Sequence, residues 1–119
     1  MIFVALNGTP CDTGAKLLLD GHPNLILNDM NLCRAKLLNC SGKRVIALPI
    51  KERETHTMKS DDYMNALRSL LDVIRELQLD KIVLCKSNVA ELSWHEAKRQ
   101  LCRILTDTDV DVIYFLLKR

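Results

Sequence analysis

Four nearly continuous apolar runs, rich in valine and isoleucine, are the feature that most constrains the fold of this chain. They are residues 2–7 (IFVALN), 44–50 (RVIALPI), 81–86 (KIVLCK) and 111–117 (DVIYFLL). A run that is apolar at nearly every position suits a strand covered on both faces, as in a parallel sheet, whereas a half-buried strand alternates apolar and polar residues. We therefore predict four buried strands.

Between these runs, apolar residues recur at the spacing of amphipathic helices. This spacing predicts helices over residues 16–20, 28–38, 60–79 and 93–105. Ser60 and Ser93 are the predicted N-caps of the last two helices. Helical crossovers between buried strands predict an α/β protein, with three α/β/α layers and a short, mostly parallel sheet of about four strands. No repeat or linker divides the chain, so we predict a single domain over residues 1–119.

The composition excludes several classes of site and indicates a cellular compartment. The chain has four glycines, no two of them within five residues of each other, which excludes P-loop and dinucleotide-binding glycine loops. Five cysteines form no CxxC pair and show no metal-ligand spacing. We therefore predict free thiols in a reducing cytoplasm, without a metal or cofactor.

Charge and hydropathy limit the classes of partner. A net charge of +2 and an aromatic content of 4% do not by themselves indicate a nucleic-acid-binding protein. No apolar segment reaches the ~20 residues of a membrane span. The N-terminal MIFVALNG lacks the charged region of a signal peptide, so we expect no membrane association.

Polar residues follow the first three predicted strands, at the point where each strand ends. They are residues 7–14 (NGTPCDTG), 49–59 (PIKERETHTMK) and 86–91 (KSNVAE). In open α/β sheets, ligands bind outside the carboxyl ends of the strands. We therefore expect Asn7 and Lys51 to face the same pocket.

Taken in order, these segments resemble a macro domain over nearly the whole chain. The features that carry the resemblance are a strand ending in PIK, a helical run LRSLLDVI, a loop closing with LSW and a last strand ending near Tyr114. The opening IFVALNGTPCDTGAKLLLDGHPN is similar to the family's strand, asparagine, glycine-bearing loop and helix. Within the family, the DNA-acting antitoxin branch and the terminal ADP-ribose glycohydrolase branch are the most similar. The resemblance is to a version shortened at the N-terminus, without the family's adenine-binding aspartate.

The resemblance implies roles for residues near the first two strand ends. Asn7 corresponds to the asparagine beside the distal ribose of the ligand. Asp12, Thr13 and Gly14 lie in the loop that passes near that ribose and the diphosphate. Lys51 corresponds to the lysine that, in the two branches named, attacks or contacts the region of the ribose anomeric carbon.

The phosphate loop is where the chain departs from the family pattern. The family has several glycines there, and residues 86–91 have none. Glycines let backbone N–H groups crowd around a diphosphate. Lys86, Ser87 and Asn88 are therefore the implied phosphate ligands, through their side chains. Glu91 is the nearest candidate for the catalytic acid.

Several of these residues also have plainer interpretations. Lys51 is also interpretable as a solvated lysine in a charged loop, and Asn7 as a turn residue. His56 is interpreted as an exposed loop histidine. Trp94, at the start of the last helix, is interpreted as a packing residue.

The resemblance implies a macro-like module that binds ADP-ribose or a related NAD-derived nucleotide. Its enzymatic form would remove ADP-ribose from a nucleic acid or a protein. Binding is favoured over hydrolysis because the glycine loop and a clear catalytic acid are missing. The alternative is a non-enzymatic interaction protein that kept the fold, lost the ligand, and binds a protein partner or forms a homodimer through an exposed sheet edge.

Overall fold

The computed structural model describes residues 1–23, 25, 27–53, 55–59 and 61–116. In chain order the elements are β1 (Ile2–Ala5), α1 (Thr13–Gly21), β2 (Lys36–Cys40), β3 (Lys43–Lys51), α2 (Asp62–Leu77), β4 (Lys81–Cys85), α3 (Trp94–Ile104) and β5 (Asp111–Phe115). All four predicted strands and three of the four predicted helices are present. The predicted N-cap Ser60 and the predicted strand end Leu117 lie outside the described residues. Ser93 caps α3 as predicted, because its Oγ accepts a hydrogen bond from the Glu96 backbone N–H at 3.3 Å.

The helix predicted over residues 28–38 is wrong. Lys36–Cys40 instead form β2, which pairs with β3 as an antiparallel hairpin. Ser41 and Gly42 make the two-residue turn, and their φ angles of 51° and 81° are both positive, as in a type I′ turn. Cys33 also has a positive φ of 62°, which an α-helix does not accommodate. The Ser-Gly pair between two apolar segments was the sequence signal for this hairpin.

The strands form two sheets, and not the single sheet of about four strands that was predicted. β1 pairs parallel with β3, and β2 joins the other edge of β3, which gives the order β1-β3-β2. β4 and β5 form a separate parallel pair. The α/β class and the mostly parallel pairing are confirmed, with five described strands.

A loop separates the two sheets. Residues 9–12 turn back along the edge of β1 that faces away from β3. Three hydrogen bonds hold them there: Ala5 N–H to the Thr9 carbonyl at 2.8 Å, Cys11 N–H to the Phe3 carbonyl at 2.8 Å, and Phe3 N–H to Asp12 Oδ2 at 2.9 Å. At the other end of this edge, the Met1 amine donates to the Val83 carbonyl of β4 at 3.0 Å. β4 therefore lies beside β1 at one end, and the loop occupies the position where a continuous sheet would pair.

Two apolar clusters lie on opposite sides of the sheets. α2 and α3 cover one side, and its largest buried side chains are Phe3, Leu48, Ile50, Tyr63, Leu67, Leu70 and Leu101. α1 covers the other side, where its Ala15 packs in a cluster with Ile2, Val4, Cys40, Val45 and Ala47. Successive residues of β1 point to opposite sides, as strand geometry requires. The three-layer arrangement is confirmed.

α1 covers only part of the side of the sheets on which it lies. Val83, Ile113 and Phe115 point to that side, because the residues between them pack against α2 and α3. Their exposed fractions are 46%, 45% and 39%. Val83 and Ile113 are direct neighbours across the β4–β5 pair. We call these three residues the apolar face.

Candidate functional site

An open cleft of about 980 Å³ lies at the carboxyl ends of β3 and β4. Residues 10–13, Lys16 and Leu17 form one wall, the loop over residues 85–91 forms the other, and Lys51 lies between them. The volume lies within the range that small-molecule sites occupy. The position matches the expectation that ligands bind outside the carboxyl ends of the strands.

The cleft brings together most of the predicted site residues. They are Asp12, Thr13, Lys51, Lys86, Ser87, Asn88 and Glu91. Gly14 lies behind the wall, where a Cβ added to it would be 2.7 Å from the Cys85 Cβ. Sequence reasoning missed Lys16, which follows Asp12 by one helical turn and therefore shares its side of α1.

Asn7 does not share this cleft. It borders a separate shallow pocket on the far side of the loop, and its Oδ1 accepts a hydrogen bond from the Thr9 N–H at 3.1 Å. This contact is that of a turn residue. The structure therefore does not bring Asn7 and Lys51 to one pocket, and a role for Asn7 at a ribose stays a prediction.

Lys51 is the last residue of β3, and its side chain is only 9% exposed. The interpretation as a solvated loop lysine is therefore wrong. Its Nζ lies 3.3 Å from Oε1 of Glu91, and Oε2 of Glu91 accepts a hydrogen bond from the Met58 N–H at 3.3 Å. The pair joins the end of a buried strand to the loop on the opposite wall of the cleft.

The electrostatics around Glu91 favour its ionised form. Burial acts to raise the pKa of Glu91, but hydrogen bonds from its own backbone, Lys51 and Met58, together with the Lys51 charge, hold it below the usual 4.5. The carboxylate is therefore charged at neutral pH. An ammonium donor beside a carboxylate acceptor suits a hydroxyl group, which both donates and accepts hydrogen bonds.

A tight turn positions Glu91. Val89 N–H donates to the Leu92 carbonyl at 3.0 Å, and Leu92 N–H donates back at 2.9 Å, which leaves Ala90 and Glu91 at the tip. Ala90 has a φ of 51°, a conformation that costs a non-glycine residue about 1–2 kcal/mol. Its N–H donates to the Cys11 carbonyl across the cleft at 2.9 Å. The loop over residues 86–91 has no glycine, but one of its residues, Ala90, has a backbone conformation that favours glycine.

Asp12 is buried and holds the opposite wall in place. Its Oδ1 accepts from the Ala15 N–H at 2.6 Å, as the N-cap of α1, and its Oδ2 accepts from the Phe3 N–H at 2.9 Å. Burial raises the pKa of Asp12, although these hydrogen bonds, the charge of the N-terminal amine and a hydrogen bond from Gly14 act to lower it. Both carboxylate oxygens are bonded within the protein, so Asp12 positions the first turn of α1.

The remaining predicted residues connect the walls or line them. Thr13 N–H lies 3.4 Å from Ser87 Oγ, which links the start of α1 to the 86–91 loop. Asn88 Oδ1 accepts from the Trp94 N–H at 3.0 Å. Lys86 is exposed on the cleft wall. Among these side chains, Lys86 is the positively charged one, and it lines the cleft where a ligand would bind.

Trp94 and His56 lie outside the cleft lining. The Trp94 ring meets the Tyr114 ring edge-on, with centroids 5.3 Å apart, which agrees with a packing role. His56 is exposed, as predicted, and its Nδ1 lies 3.9 Å from the Glu52 carboxylate.

Three properties of the described residues bear on the composition arguments. All five cysteines lie in the described residues and none forms a disulfide bond there, as predicted. Across the described ranges, no helix has the length and apolar character needed to cross a membrane. In the same part of the chain, no three His, Cys, Asp or Glu side chains form a group suited to a metal ion.

Comparison with known proteins adds evidence on the fold. No protein-family model and no curated protein sequence matches the chain. Among solved structures, the macrodomain of Mycobacterium tuberculosis DarG matches with a TM-score of 0.78 at 17% identity, over 98% of this chain and 86% of that chain. The macrodomain of Thermus aquaticus DarG matches with a TM-score of 0.73 at 15% identity, over 99% of this chain and 87% of that chain.

A third solved structure contains a ligand. Thermosipho africanus DarTG, in complex with ADP-ribose, matches with a TM-score of 0.75 at 14% identity. The match covers 99% of this chain and 38% of that longer chain. The resemblance first drawn from the PIK strand end, the LRSLLDVI helix and the LSW loop is therefore confirmed at the level of the fold: the chain has the macrodomain fold.

Proposed function

We propose that the chain binds ADP-ribose, or a related NAD-derived nucleotide, in the cleft beside Lys51. The observation that supports this proposal is a ligand-sized cleft at the strand ends of a fold shared with a protein solved in complex with ADP-ribose. The cleft offers cationic side chains at Lys16 and Lys86 and hydroxyl groups at Thr13 and Ser87. These groups complement the diphosphate and the ribose hydroxyls of such a ligand.

Removal of ADP-ribose from a nucleic acid or a protein is the enzymatic extension of this proposal. Lys51 lies against the Glu91 carboxylate at 3.3 Å, where an ammonium serves as a donor and a positive charge. Nucleophilic attack would first require loss of a proton from that ammonium. The ion pair therefore favours binding over attack by lysine. Incubation with ADP-ribosylated DNA and protein tests the extension, because label retained at high protein concentration would rule it out.

The proposed site of action is the reducing cytoplasm, where free thiols persist. The five cysteines, all described and none in a disulfide bond, support this location.

Replacing Lys51 with methionine is expected to weaken ADP-ribose binding about tenfold, a loss of about 1.4 kcal/mol. Methionine keeps much of the buried stem and removes the ammonium. The loss is limited because the wild-type ammonium already pairs with Glu91, which leaves it only part of its hydrogen-bonding capacity for the ligand. Isothermal titration calorimetry measures the change.

The control is Lys81→Met, which removes the same charge from an exposed lysine at the start of β4, outside the cleft lining. Its ADP-ribose affinity should stay close to wild type. An equal loss in both variants would show that only net charge matters. No heat from the wild type at millimolar ADP-ribose would reject the proposed function.

The second candidate is an interaction module that self-associates, which the apolar face favours. Val83, Ile113 and Phe115 expose adjoining apolar side chains, and β5, the last described strand, pairs only with β4 among the described strands. Contiguous exposed apolar surface and a strand edge are both features of association sites.

For this candidate, sedimentation velocity of the wild type is expected to show a dimer that Ile113→Glu converts to a monomer. A buried carboxylate in the interface would be costly. Leu77→Glu is the control, since Leu77 is 36% exposed at the end of α2, on the opposite side of the sheets. A wild type that sediments as a monomer at all concentrations would exclude self-association.

A further inference from the structure

We propose that two copies of this chain pack their apolar faces together, about a twofold axis that runs parallel to β4 and β5 and midway between them. In this arrangement β4 of each copy lies over β5 of the other. The inference rests on the second candidate function and deepens it, because it specifies which surface a second copy covers and in which orientation.

The register of the β4–β5 pair makes this side of the sheet complementary to itself. Val83 is the direct neighbour of Ile113, and Lys81 is the direct neighbour of Asp111. A twofold axis between the two strands exchanges them, so that the same surface serves both copies, as in an isologous interface. Each Val83 then packs on the partner's Ile113. At the same time each Lys81 meets the partner's Asp111.

Opposite charges border the apolar face at the end where β4 and β5 begin. Lys81 and Asp111 are both exposed. They lie on the same side of the sheet as the apolar face, because side chains two residues apart on a strand share a side. Among the ion pairs found in the described part of the chain, neither residue takes part. A second copy in this orientation supplies each of them with an opposite charge, which fixes the register of the dimer.

α1 leaves room for a second sheet on this side. Its Ala15 packs with Ile2 and Val4 of β1, whereas Val83 and Ile113 remain nearly half exposed. Stacked sheets lie about 10 Å apart with their strands roughly aligned, so the partner's β4–β5 pair would occupy the uncovered part of the layer beside α1. Pairing of two copies through the edges of β5 would instead leave the apolar face of each copy exposed.

The test uses two single charge reversals, Lys81→Asp and Asp111→Lys, each alone and mixed in equal amounts. Either variant alone brings like charges together at both contacts between the copies. We therefore expect its dimer to be at least about tenfold weaker than that of wild type in sedimentation velocity. In the mixture these contacts again join opposite charges, so dimers should return to within about threefold of the wild-type affinity. Like charges within each chain persist in the mixture, so only contacts between copies explain a recovery.

Lys43→Asp is the matched control, since it makes the same charge reversal on an exposed lysine at the start of β3, away from the apolar face. Its dimer should stay within about twofold of wild type. Circular dichroism checks that each variant is folded.

Two results would overturn the proposal while leaving self-association supported. One is a dimer that Lys81→Asp leaves intact, because the second copy would then lie on another surface, such as the edge of β5. The other is a mixture that dimerises no better than either variant alone. A wild type that sediments as a monomer at all concentrations would reject this arrangement and self-association together. Binding of ADP-ribose is measured separately, so none of these results decides it.

Discussion

Replacing Asp12 with alanine is expected to lower the free energy of unfolding by about 2–4 kcal/mol, measured by urea denaturation at neutral pH. The side chain is the N-cap of α1, and loss of such a cap costs about 0.5–2 kcal/mol. It also accepts the Phe3 N–H at 2.9 Å, and Phe3 is fully buried. A buried backbone N–H left without an acceptor costs about 1–3 kcal/mol more. The two losses occur together, because one carboxylate bonds both donors.

Asp12→Asn is the graded control. It keeps one carbonyl oxygen for one of the two donors, so its loss should fall between wild type and alanine. The sign of the pH dependence is a second check. Burial raises the pKa of Asp12 above its ordinary 3.8, so the fold favours the protonated form. The stability from that preference is present below pH 3.8 and is lost as the pH rises through the folded pKa.

The stability gap between wild type and Asp12→Ala should therefore be wider at about pH 3 than at pH 7. A gap that narrows on acidification would mean that the ionised carboxylate is the favoured form in the fold. A change in stability of less than about 1 kcal/mol at neutral pH would contradict the role of Asp12 as the clamp between β1 and α1.

Replacing Gly14 with alanine is expected to destabilise the protein by about 1–3 kcal/mol, the usual cost of overpacking a close contact. The added Cβ would lie 2.7 Å from the Cys85 Cβ and 3.3 Å from Asp12 Oδ1. The first atom is the Cβ of the last residue of β4, and the second is the carboxylate oxygen that accepts from the Ala15 N–H. Neither atom can move away without disturbing the fold. Thermal and urea unfolding both measure the loss.

Gly21→Ala, at the other end of the same helix, is the matched control. Nothing lies within 4 Å of the position of its Cβ. Alanine there should stabilise the protein by about 0.5–1 kcal/mol, because it reduces the freedom of the unfolded chain. The two substitutions should therefore have opposite signs. Equal effects would show that the α1–β4 contact does not depend on Gly14.

The positions of Asp12 and Gly14 also show which features of the site can be predicted from the sequence. The resemblance implied that Asp12 and Gly14 lie near the ribose and the diphosphate. The structure places Asp12 in the cleft wall with both oxygens bonded to backbone amides. It places Gly14 against Cys85. Phe3 lies nine residues before Asp12, in another element, and Cys85 lies in β4. No local pattern therefore predicts these contacts.

The loop over residues 86–91, which contains no glycine, also has a backbone conformation that its sequence does not predict. Its composition indicated a lost phosphate-binding conformation, but Ala90 keeps a positive φ of 51°. The hydrogen bonds that close the turn and the Cys11 carbonyl across the cleft hold that conformation. Backbone conformation is set by the summed contacts of a segment, which residue type alone does not reveal.

The sequence by itself determined the α/β class, the four predicted strands and the strand ends at which the cleft lies. Continuous apolar runs and helical periodicity follow from burial, which acts on each segment separately. Only the tertiary structure decided that residues 9–12 separate the sheets, that Lys36–Cys40 form a strand and that Lys51 meets Glu91. The Lys51–Glu91 contact joins residues 40 positions apart, and the loop and β2 are fixed by their pairing with β1 and β3. The free energy of these pairings exceeds local propensity.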